Sequence, residues 1–221
     1  MHDDSHDIQE MRDDLNMIHT VGILCGGNSR RMGENKAMLL LKGRSFLQCL
    51  LEEFGHFDEI MLAGGQKEAD YGYGIRSLPD ENKGIGPIEG IRQVLKNASS
   101  EYVFICGVDM PLLKHQFAFY LEQFICSDYD CYVIKEGGRR HPLCGIYKKS
   151  MLPLIETSIA SGEYRLNQLL DNTRLKEVSL RYSSLSAGYL KNINTREDYR
   201  HLIQILQKES QGREYEGLHR L

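Results

Sequence analysis

Residues 20–36 read Thr-Val-Gly-Ile-Leu-Cys-Gly-Gly-Asn-Ser-Arg-Arg-Met-Gly-Glu-Asn-Lys, and this stretch decides the fold. It begins with an apolar run that stops at Gly26-Gly27, which indicates a short buried strand followed by a glycine-rich loop. In parallel α/β sheets, ligands bind where strands end at their carboxyl edge, so this loop is the predicted ligand site. Its glycines let the backbone approach a ligand and turn amides toward a phosphate. The loop region also carries three cations: Arg30, Arg31 and Lys36.

The loop matches neither of the common phosphate-binding fingerprints. Asn28 follows Gly27 where a Walker A loop has Lys and then Ser or Thr, and no Gly-x-Gly-x-x-Gly motif occurs. Glycine-rich turns after a first strand are common, so the glycines alone would favour an ordinary turn. Arginine and lysine at this spacing favour a phosphate site instead, because both side chains bind phosphate oxygens.

Helix and strand patterns alternate along the rest of the chain. Ser45 and Gln48 predict a capping box before a helix with an apolar stripe. Further strands are predicted at 59–63, 75–78, 102–106, 132–134 and 143–147, and further helices at 87–98, 114–126, 150–160, 165–171 and 194–207. The alternation predicts an α/β fold, a three-layer α/β/α domain with a mostly parallel sheet.

Composition and charge narrow the class of protein. The 221 residues suit an acidic flexible leader at 1–18, a single domain at 19–207 and a charged tail at 208–221. Without the leader the chain is close to neutral, which argues against a nucleic-acid-binding surface. The six scattered cysteines show no zinc-binding spacing and favour reduced thiols. The sequence has no signal-peptide pattern and no apolar run of membrane-spanning length, so we expect a cytoplasmic protein.

Two aspartates follow predicted strands. Asp109 comes after the strand at 102–106, and carboxylate oxygens are the ligands that Mg²⁺ prefers, together with substrate phosphates. Asp80 follows the strand at 75–78. On the residues alone, a role in ordering a turn is the better interpretation of both.

The glycine-rich loop resembles the Leu-x-Gly-Gly-x-Ser-x-Arg-Met-Gly-x-x-Lys loop of nucleotidyltransferases, and its Gly-Gly form is similar to molybdenum cofactor guanylyltransferases. Three later segments agree with that family in order and spacing: Asp80 with Gly86-Pro87-Ile88-Glu89-Gly90, then Asp109-Met110-Pro111, then Asn192-Ile193-Asn194-Thr195. The resemblance covers about residues 20–205, with Cys25 in place of a common Ala and Arg196 in place of the usual Pro.

The resemblance implies a Rossmann-like nucleotide-diphospho-sugar transferase fold. It also implies transfer of GMP from GTP to the terminal phosphate of the molybdenum-molybdopterin cofactor, with release of pyrophosphate. Catalytic roles fall on Arg31, Lys36 and Asp109, with Mg²⁺ held by Asp109. The implied nucleotide-binding residues are Leu24, Cys25, Gly26, Gly27, Lys36, Asp80 and Asp109, and the implied acceptor-binding residues are Arg140, His141, Asn192 and Asn194.

Several alternatives stay open at this point. Asp80 could contact the base, the ribose or the metal, residues 139–142 could form a solvated hairpin tip, and the two asparagines could simply order a turn. A cytidylyltransferase or sugar-phosphate nucleotidyltransferase of the same fold, or a non-catalytic nucleotide-binding regulator, would also fit. We expect a monomer whose partners are GTP, the molybdenum-molybdopterin cofactor, and cofactor-insertion proteins or acceptor molybdoenzymes.

Overall fold

A computed structural model describes residues 18–26, 35–65 and 74–210. The strands are β1 (Ile18–Leu24), β2 (Leu40–Leu41), β3 (Arg44–Ser45), β4 (Glu59–Gly65), β5 (Arg76–Pro79), β6 (Tyr102–Gly107), β7 (Cys131–Glu136), β8 (Arg139–Lys148) and β9 (Leu175–Val178). The α-helices are α1 (Phe46–Phe54), α2 (Pro87–Asn97), α3 (Gln116–Glu122), α4 (Leu152–Ala160), α5 (Leu166–Asp171) and α6 (Arg196–Ser210). Within these ranges no helix is long and apolar enough to cross a membrane.

Seven strands form one sheet in the order β5-β4-β1-β6-β8-β7-β9. Neighbouring strands from β5 to β6 pair in parallel, β8 pairs antiparallel with β6 and β7, and β9 pairs parallel with β7. The mostly parallel sheet predicted from the sequence is therefore confirmed. The predicted central strand is also confirmed, because β6 is the fourth of seven and is buried along its whole length.

Two apolar cores flank the sheet, one on each face. Helices α1, α3 and α6 cover one face, while α2, α4 and α5 cover the other. Along β6 the side chains alternate between them: Phe104 and Cys106 enter the first core, and Val103 and Ile105 the second. This period of two follows from the pleat of a strand, and covered faces on both sides explain why β6 is apolar without interruption.

Local sequence signals set the helix starts. The Ser45 hydroxyl accepts a hydrogen bond from the Gln48 amide at 3.0 Å, and the Gln48 side chain accepts one from the Ser45 amide at 2.8 Å, which confirms the capping box. Helix α6 begins in a similar way, since Thr195 Oγ1 accepts from the Asp198 amide at 3.0 Å. Arg196 in place of the family's Pro therefore leaves the cap intact.

Some predicted boundaries differ from the observed ones. Strand β1 already includes Ile18, and α6 continues to Ser210, so the structured part extends slightly into the predicted leader and tail. Helix α3 is shorter than the predicted 114–126. After Glu122 the backbone amides bond to the carbonyl three residues back, as in a 3₁₀ turn, and no longer to the one four residues back. There the Tyr132 hydroxyl binds both backbone groups of Cys126 and holds the chain out of helical geometry.

The chain just after β1 and the end of β4 approach each other closely through two glycines, Gly26 and Gly64. A Cβ added to Gly26 would lie 2.5 Å from the Gly64 carbonyl oxygen, and one added to Gly64 would lie 2.8 Å from the Gly26 Cα. Gly64 also has φ of +78°, a left-handed conformation that costs little only for glycine. The close approach therefore requires glycine on both sides.

We expect Gly64→Ala to destabilise the protein by at least about 2 kcal/mol more than Gly43→Ala, as measured by urea unfolding. Gly43 is the matched control, because it also has positive φ (+83°) but its added Cβ meets no atom within 4 Å. Both variants share the backbone strain, so the difference isolates the contact with Gly26. Equal losses of unfolding free energy in the two variants would contradict the close approach of Gly26 and Gly64.

Candidate active site

Four parallel strands end side by side at one edge of the sheet. Asp80 follows β5, Gly64 lies near the end of β4, Gly26 follows β1, and Asp109 follows β6. The edge thus gathers residues that are far apart in the sequence, and the glycine-rich loop leaves from its middle. Ligands of such sheets bind in this position.

Asp109 is held from the far end of the chain. Its Oδ2 accepts a hydrogen bond from Asn192 Nδ2 at 2.9 Å, and its carbonyl oxygen accepts one from the Ile193 amide at 2.7 Å. Its Oδ1 is buried and has no hydrogen-bond partner among the described residues. Because buried carboxylate oxygens are normally satisfied, this oxygen indicates a place for a ligand or a cation.

Lys36 lies beside this carboxylate. Its Nζ donates a hydrogen bond to Asn194 Oδ1 at 2.6 Å and lies 4.0 Å from Asp109 Oδ2. Lys36 opens a single 3₁₀ turn, Lys36–Met38, which Asn35 caps by accepting from the Ala37 amide at 3.1 Å. A cation and a carboxylate are therefore fixed together at the carboxyl edge, with a local turn and a distant asparagine holding the cation.

The structure brings together four of the predicted site residues in this way: Lys36, Asp109, Asn192 and Asn194. The asparagines, predicted to bind the acceptor, contact the lysine and the aspartate directly. Their position orders the turn and the two charged groups at the same time. Acceptor binding by the asparagines stays a prediction.

Asp80 lies at the other end of the same edge. Its Oδ1 is buried without a hydrogen-bond partner among the described residues, and it would lie 3.5 Å from a Cβ on Gly64. Burial, and then the negative charge of Glu89, raise the pKa of Asp80 above its ordinary value. A ligand that donates hydrogen bonds would reverse this penalty, so Asp80 suits a group with N–H or O–H donors.

Leu24 and Cys25 form backbone hydrogen bonds to the neighbouring strands, and nucleotide binding by them stays a prediction. The Leu24 carbonyl accepts from the Val108 amide at 3.0 Å, and the Cys25 amide donates to the Ala63 carbonyl at 2.7 Å. Burial raises the pKa of the Cys25 thiol to about 12, so it stays neutral. The other predicted loop residues, Gly27 and Arg31 with Arg30, lie outside the described residues.

The predicted acceptor residues on β8 differ from expectation. Residues 139–142, for which the sequence leaves a solvated hairpin tip open, belong to strand β8 of a β7–β8 hairpin and follow its turn. The guanidinium of Arg140 is bound by two carboxylates, Glu177 Oε1 at 2.6 Å and Asp171 Oδ1 at 2.5 Å. It therefore ties β8 to β9 and α5 in this structure.

His141 reaches the same edge from the opposite direction. Strand β8 runs antiparallel to β6 and pairs Cys144 with Cys106, so residues that precede Cys144 extend beyond the end of β6. Burial, and then the charge of Arg139, lower the pKa of His141, which keeps the imidazole neutral at neutral pH. It can bind an acceptor through hydrogen bonds but adds no positive charge.

Gly107 is a residue of the site that the sequence patterns did not single out. A Cβ at this position would lie 2.5 Å from Asp109 Oδ1 and 3.2 Å from the Leu143 side chain. Its hydrogen atom therefore leaves the space around the unpartnered oxygen open. A glycine at the end of a buried strand, two residues before an aspartate, was the available signal.

The donors at this edge fit a hard cation shared with a substrate. Within the described ranges no three or more His, Cys, Asp or Glu side chains are grouped so that they could hold a metal ion by themselves. Mg²⁺ is commonly bound by one or two carboxylates, water and substrate phosphates, so Asp109 Oδ1 is a suitable protein ligand. A transition-metal site with nitrogen or sulfur ligands does not fit these donors.

Known proteins are similar to this chain over most of its length. A protein of Carboxydothermus hydrogenoformans named as a probable molybdenum cofactor guanylyltransferase is 33% identical over 84% of this chain and 95% of its own length. The molybdenum cofactor guanylyltransferase of Campylobacter jejuni is 26% identical over 84% of this chain and 95% of its own.

Solved structures agree on the fold. Molybdopterin-guanine dinucleotide biosynthesis protein A from Archaeoglobus fulgidus superposes with a TM-score of 0.74 at 23% identity, over 86% of this chain and 99% of its own. The 2-C-methyl-D-erythritol 4-phosphate cytidylyltransferase of Thermus thermophilus superposes with a TM-score of 0.62 at 16% identity, over 84% and 98% of the two chains. The model of the MobA-like NTP transferase domain matches residues 21–178, and with these relatives it shows that the chain belongs to the family of MobA-like NTP transferases.

Proposed function

We propose that this protein transfers GMP from GTP to the terminal phosphate of the molybdenum-molybdopterin cofactor and releases pyrophosphate. The observation that carries the proposal is the pair of Lys36 and Asp109 at the carboxyl edge, with an Asp109 oxygen that has no hydrogen-bond partner among the described residues. Relatives named molybdenum cofactor guanylyltransferases support the choice of nucleotide and acceptor.

The chemistry requires positioning and charge neutralisation. An oxygen of the acceptor phosphate forms a bond to the α-phosphorus of GTP, while the bond from that phosphorus to the bridging α–β oxygen breaks. The attacking oxygen is already deprotonated at neutral pH, so no side chain needs to remove a proton. Fixed cations and hydrogen-bond donors around the α-phosphate then lower the barrier by stabilising charge in the transition state.

Lys36 supplies one fixed positive charge. Asn194 holds its Nζ at 2.6 Å, so the ammonium group is in place before the substrate arrives. Such preorganisation makes a charge more effective in the transition state than a mobile side chain in water. Arg31, from the loop outside the described residues, would add a second cation for the phosphates.

Asp109 would hold Mg²⁺ through its unpartnered Oδ1, while Asn192 keeps the other oxygen of the carboxylate in place. When bound, Mg²⁺ would neutralise charge on the phosphate oxygens. Asp80 would accept hydrogen bonds from the guanine edge or the ribose. Asp80 Oδ1 lies beside Gly64, whose lack of a side chain leaves this oxygen uncovered on that side.

Other features are consistent with a reaction in the cytoplasm. All six cysteines are free, as expected in a reducing compartment. Cofactor-insertion proteins or acceptor molybdoenzymes would receive the product, and we propose that the enzyme works as a monomer.

The nucleotide is tested by incubating the protein with Mg²⁺, the molybdenum-molybdopterin cofactor and each of GTP, CTP, ATP and UTP in turn. We expect pyrophosphate and a dinucleotide product with GTP only. A dinucleotide formed from CTP alone would replace the proposed reaction with a cytidylyltransferase. Tight nucleotide binding without any pyrophosphate release would indicate a regulator instead.

Asp109→Asn should lower kcat by about 10²-fold or more, because the isosteric amide loses the charge that binds the metal. The hydrogen bond from the Ile193 amide goes to the Asp109 carbonyl and is retained, so the melting temperature should change little. Asp128→Asn is the control, since Asp128 is exposed and is separated in the sequence from the residues at the carboxyl edge. Wild-type turnover by Asp109→Asn with Mg²⁺ would show that the metal assignment is wrong.

Lys36→Met should also lower kcat by about 10²-fold, in the range found when one preorganised charge-stabilising group is removed. Lys42→Met, at an exposed position of the β2–β3 turn, serves as the matched control and should keep full activity. Both rates are measured from pyrophosphate release at saturating GTP. If both variants lowered kcat by a similar small factor, Lys36 would not be a catalytic group.

A further inference from the structure

We propose that Glu89 is a positioning residue for nucleotide binding, because it fixes the peptide bond that follows Asp80. This rests on the proposed function, in which Asp80 contacts the nucleotide. Glu89 is the third residue of α2 and its side chain is fully buried. A buried carboxylate needs several hydrogen-bond donors, so the identity of those donors shows what it holds together.

The donors to Glu89 come from two directions. From its own helix, Arg92 donates through Nε at 3.1 Å and Nη2 at 2.9 Å, and Gln93 donates through Nε2 at 2.8 Å. From the loop before the helix, the Glu81 amide donates at 3.0 Å and Asn82 Nδ2 at 3.1 Å. Glu89 therefore joins α2 to the two residues that follow Asp80.

This loop has few apolar contacts that could hold it. Residues 81–84 are exposed, and Gly84 and Gly86 both have positive φ. A further polar contact holds the loop to the helix, since Arg92 Nη2 also donates to Glu81 Oε2 at 2.6 Å. The order of the loop thus comes from polar contacts that converge on Glu89 and Arg92.

The hydrogen bond from the Glu81 amide acts directly on Asp80. That amide belongs to the peptide plane that begins at the Asp80 carbonyl carbon, so fixing it restricts the ψ angle of Asp80. The carboxylate of Asp80 is then aimed at the Gly64 backbone, where its Oδ1 stays buried and unpartnered among the described residues. Glu89 therefore determines where this acceptor oxygen lies before a nucleotide binds.

Glu89 stays ionised in this position. Burial alone would raise the pKa of Glu89, but hydrogen bonds from Arg92, Gln93, Asn82 and the Glu81 amide lower it to about 2. A glutamine oxygen could keep the donors of only one carboxylate oxygen, which are three at Oε1 and two at Oε2. Its NH₂ group would then face the donors of the other oxygen, and the negative charge that binds Arg92 would be lost. Glu89→Gln should consequently loosen the loop without emptying the buried space.

The test is a double-mutant cycle of Glu89→Gln and Asp80→Ala in the full-length protein, read as KM for GTP and kcat from pyrophosphate release. We expect Glu89→Gln to raise KM for GTP about 10-fold with kcat changed less than about 2-fold. In a protein that already carries Asp80→Ala, Glu89→Gln should raise KM for GTP by less than about 2-fold, because Glu89 acts through Asp80. Glu101→Gln is the matched control, because it makes the same chemical change at an exposed position just before β6, and it should leave KM for GTP unchanged.

The outcomes separate the two proposals. If the wild-type protein releases pyrophosphate from no nucleotide, the proposed function fails. If the protein is active but Asp80→Ala leaves KM for GTP unchanged, the positioning role is overturned while the function stands. The same holds if the rise in KM of the double mutant equals the product of the rises in the two single mutants. If Glu89→Gln does not fold, Asn82→Ala replaces it in the cycle, because it removes one loop contact at an exposed position. The proposal is supported if Glu89→Gln raises KM for GTP in the wild-type background but not in the Asp80→Ala background. It is overturned if KM does not rise, or if it rises equally in both backgrounds.

Discussion

The parallel pairing of β1 between β4 and β6 is the constraint on which the site depends. The hydrogen bonds continue past the ends of the strands, from the Cys25 amide to the Ala63 carbonyl and from the Val108 amide to the Leu24 carbonyl. Three loops are thereby forced to leave the sheet together. The first of these loops touches the end of β4 through backbone, at Gly26 and Gly64, which explains why the chain needs glycine at both positions.

A second constraint links the end of the domain to this edge. Asn192 and Asn194 reach Asp109 and Lys36 across 83 and 158 residues of sequence, and α6 begins directly after them. Leu202 of that helix is buried in the core on the α1 face. The positions of Lys36 and Asp109 therefore depend on the packing of the last part of the described domain.

Local signals were sufficient to predict most elements. The roles of Lys36 and Asp109 come from the family resemblance and stay predictions, while the structure places the two side chains 4.0 Å apart. Capping residues, apolar periodicity and glycine positions act within a few residues, so they can be recognised in the sequence. The β9 strand at Leu175–Val178 was missed because it is a half-buried edge strand with a mixed pattern. The ion pairs of Arg140 were missed because they depend on the pairing of β7 with β9, which no local pattern specifies.

Two unpartnered oxygens give the site its clearest physical signature. Asp80 Oδ1 and Asp109 Oδ1 are both buried without a hydrogen-bond partner among the described residues, and each such group costs about 1–3 kcal/mol. They follow β5 and β6, which are three strand spacings or about 14 Å apart, and the glycine-rich loop emerges between them. A turn aspartate would have satisfied its oxygens within the protein. A single extended ligand with donors at one end and metal-bound phosphates at the other would satisfy both oxygens and offset this cost.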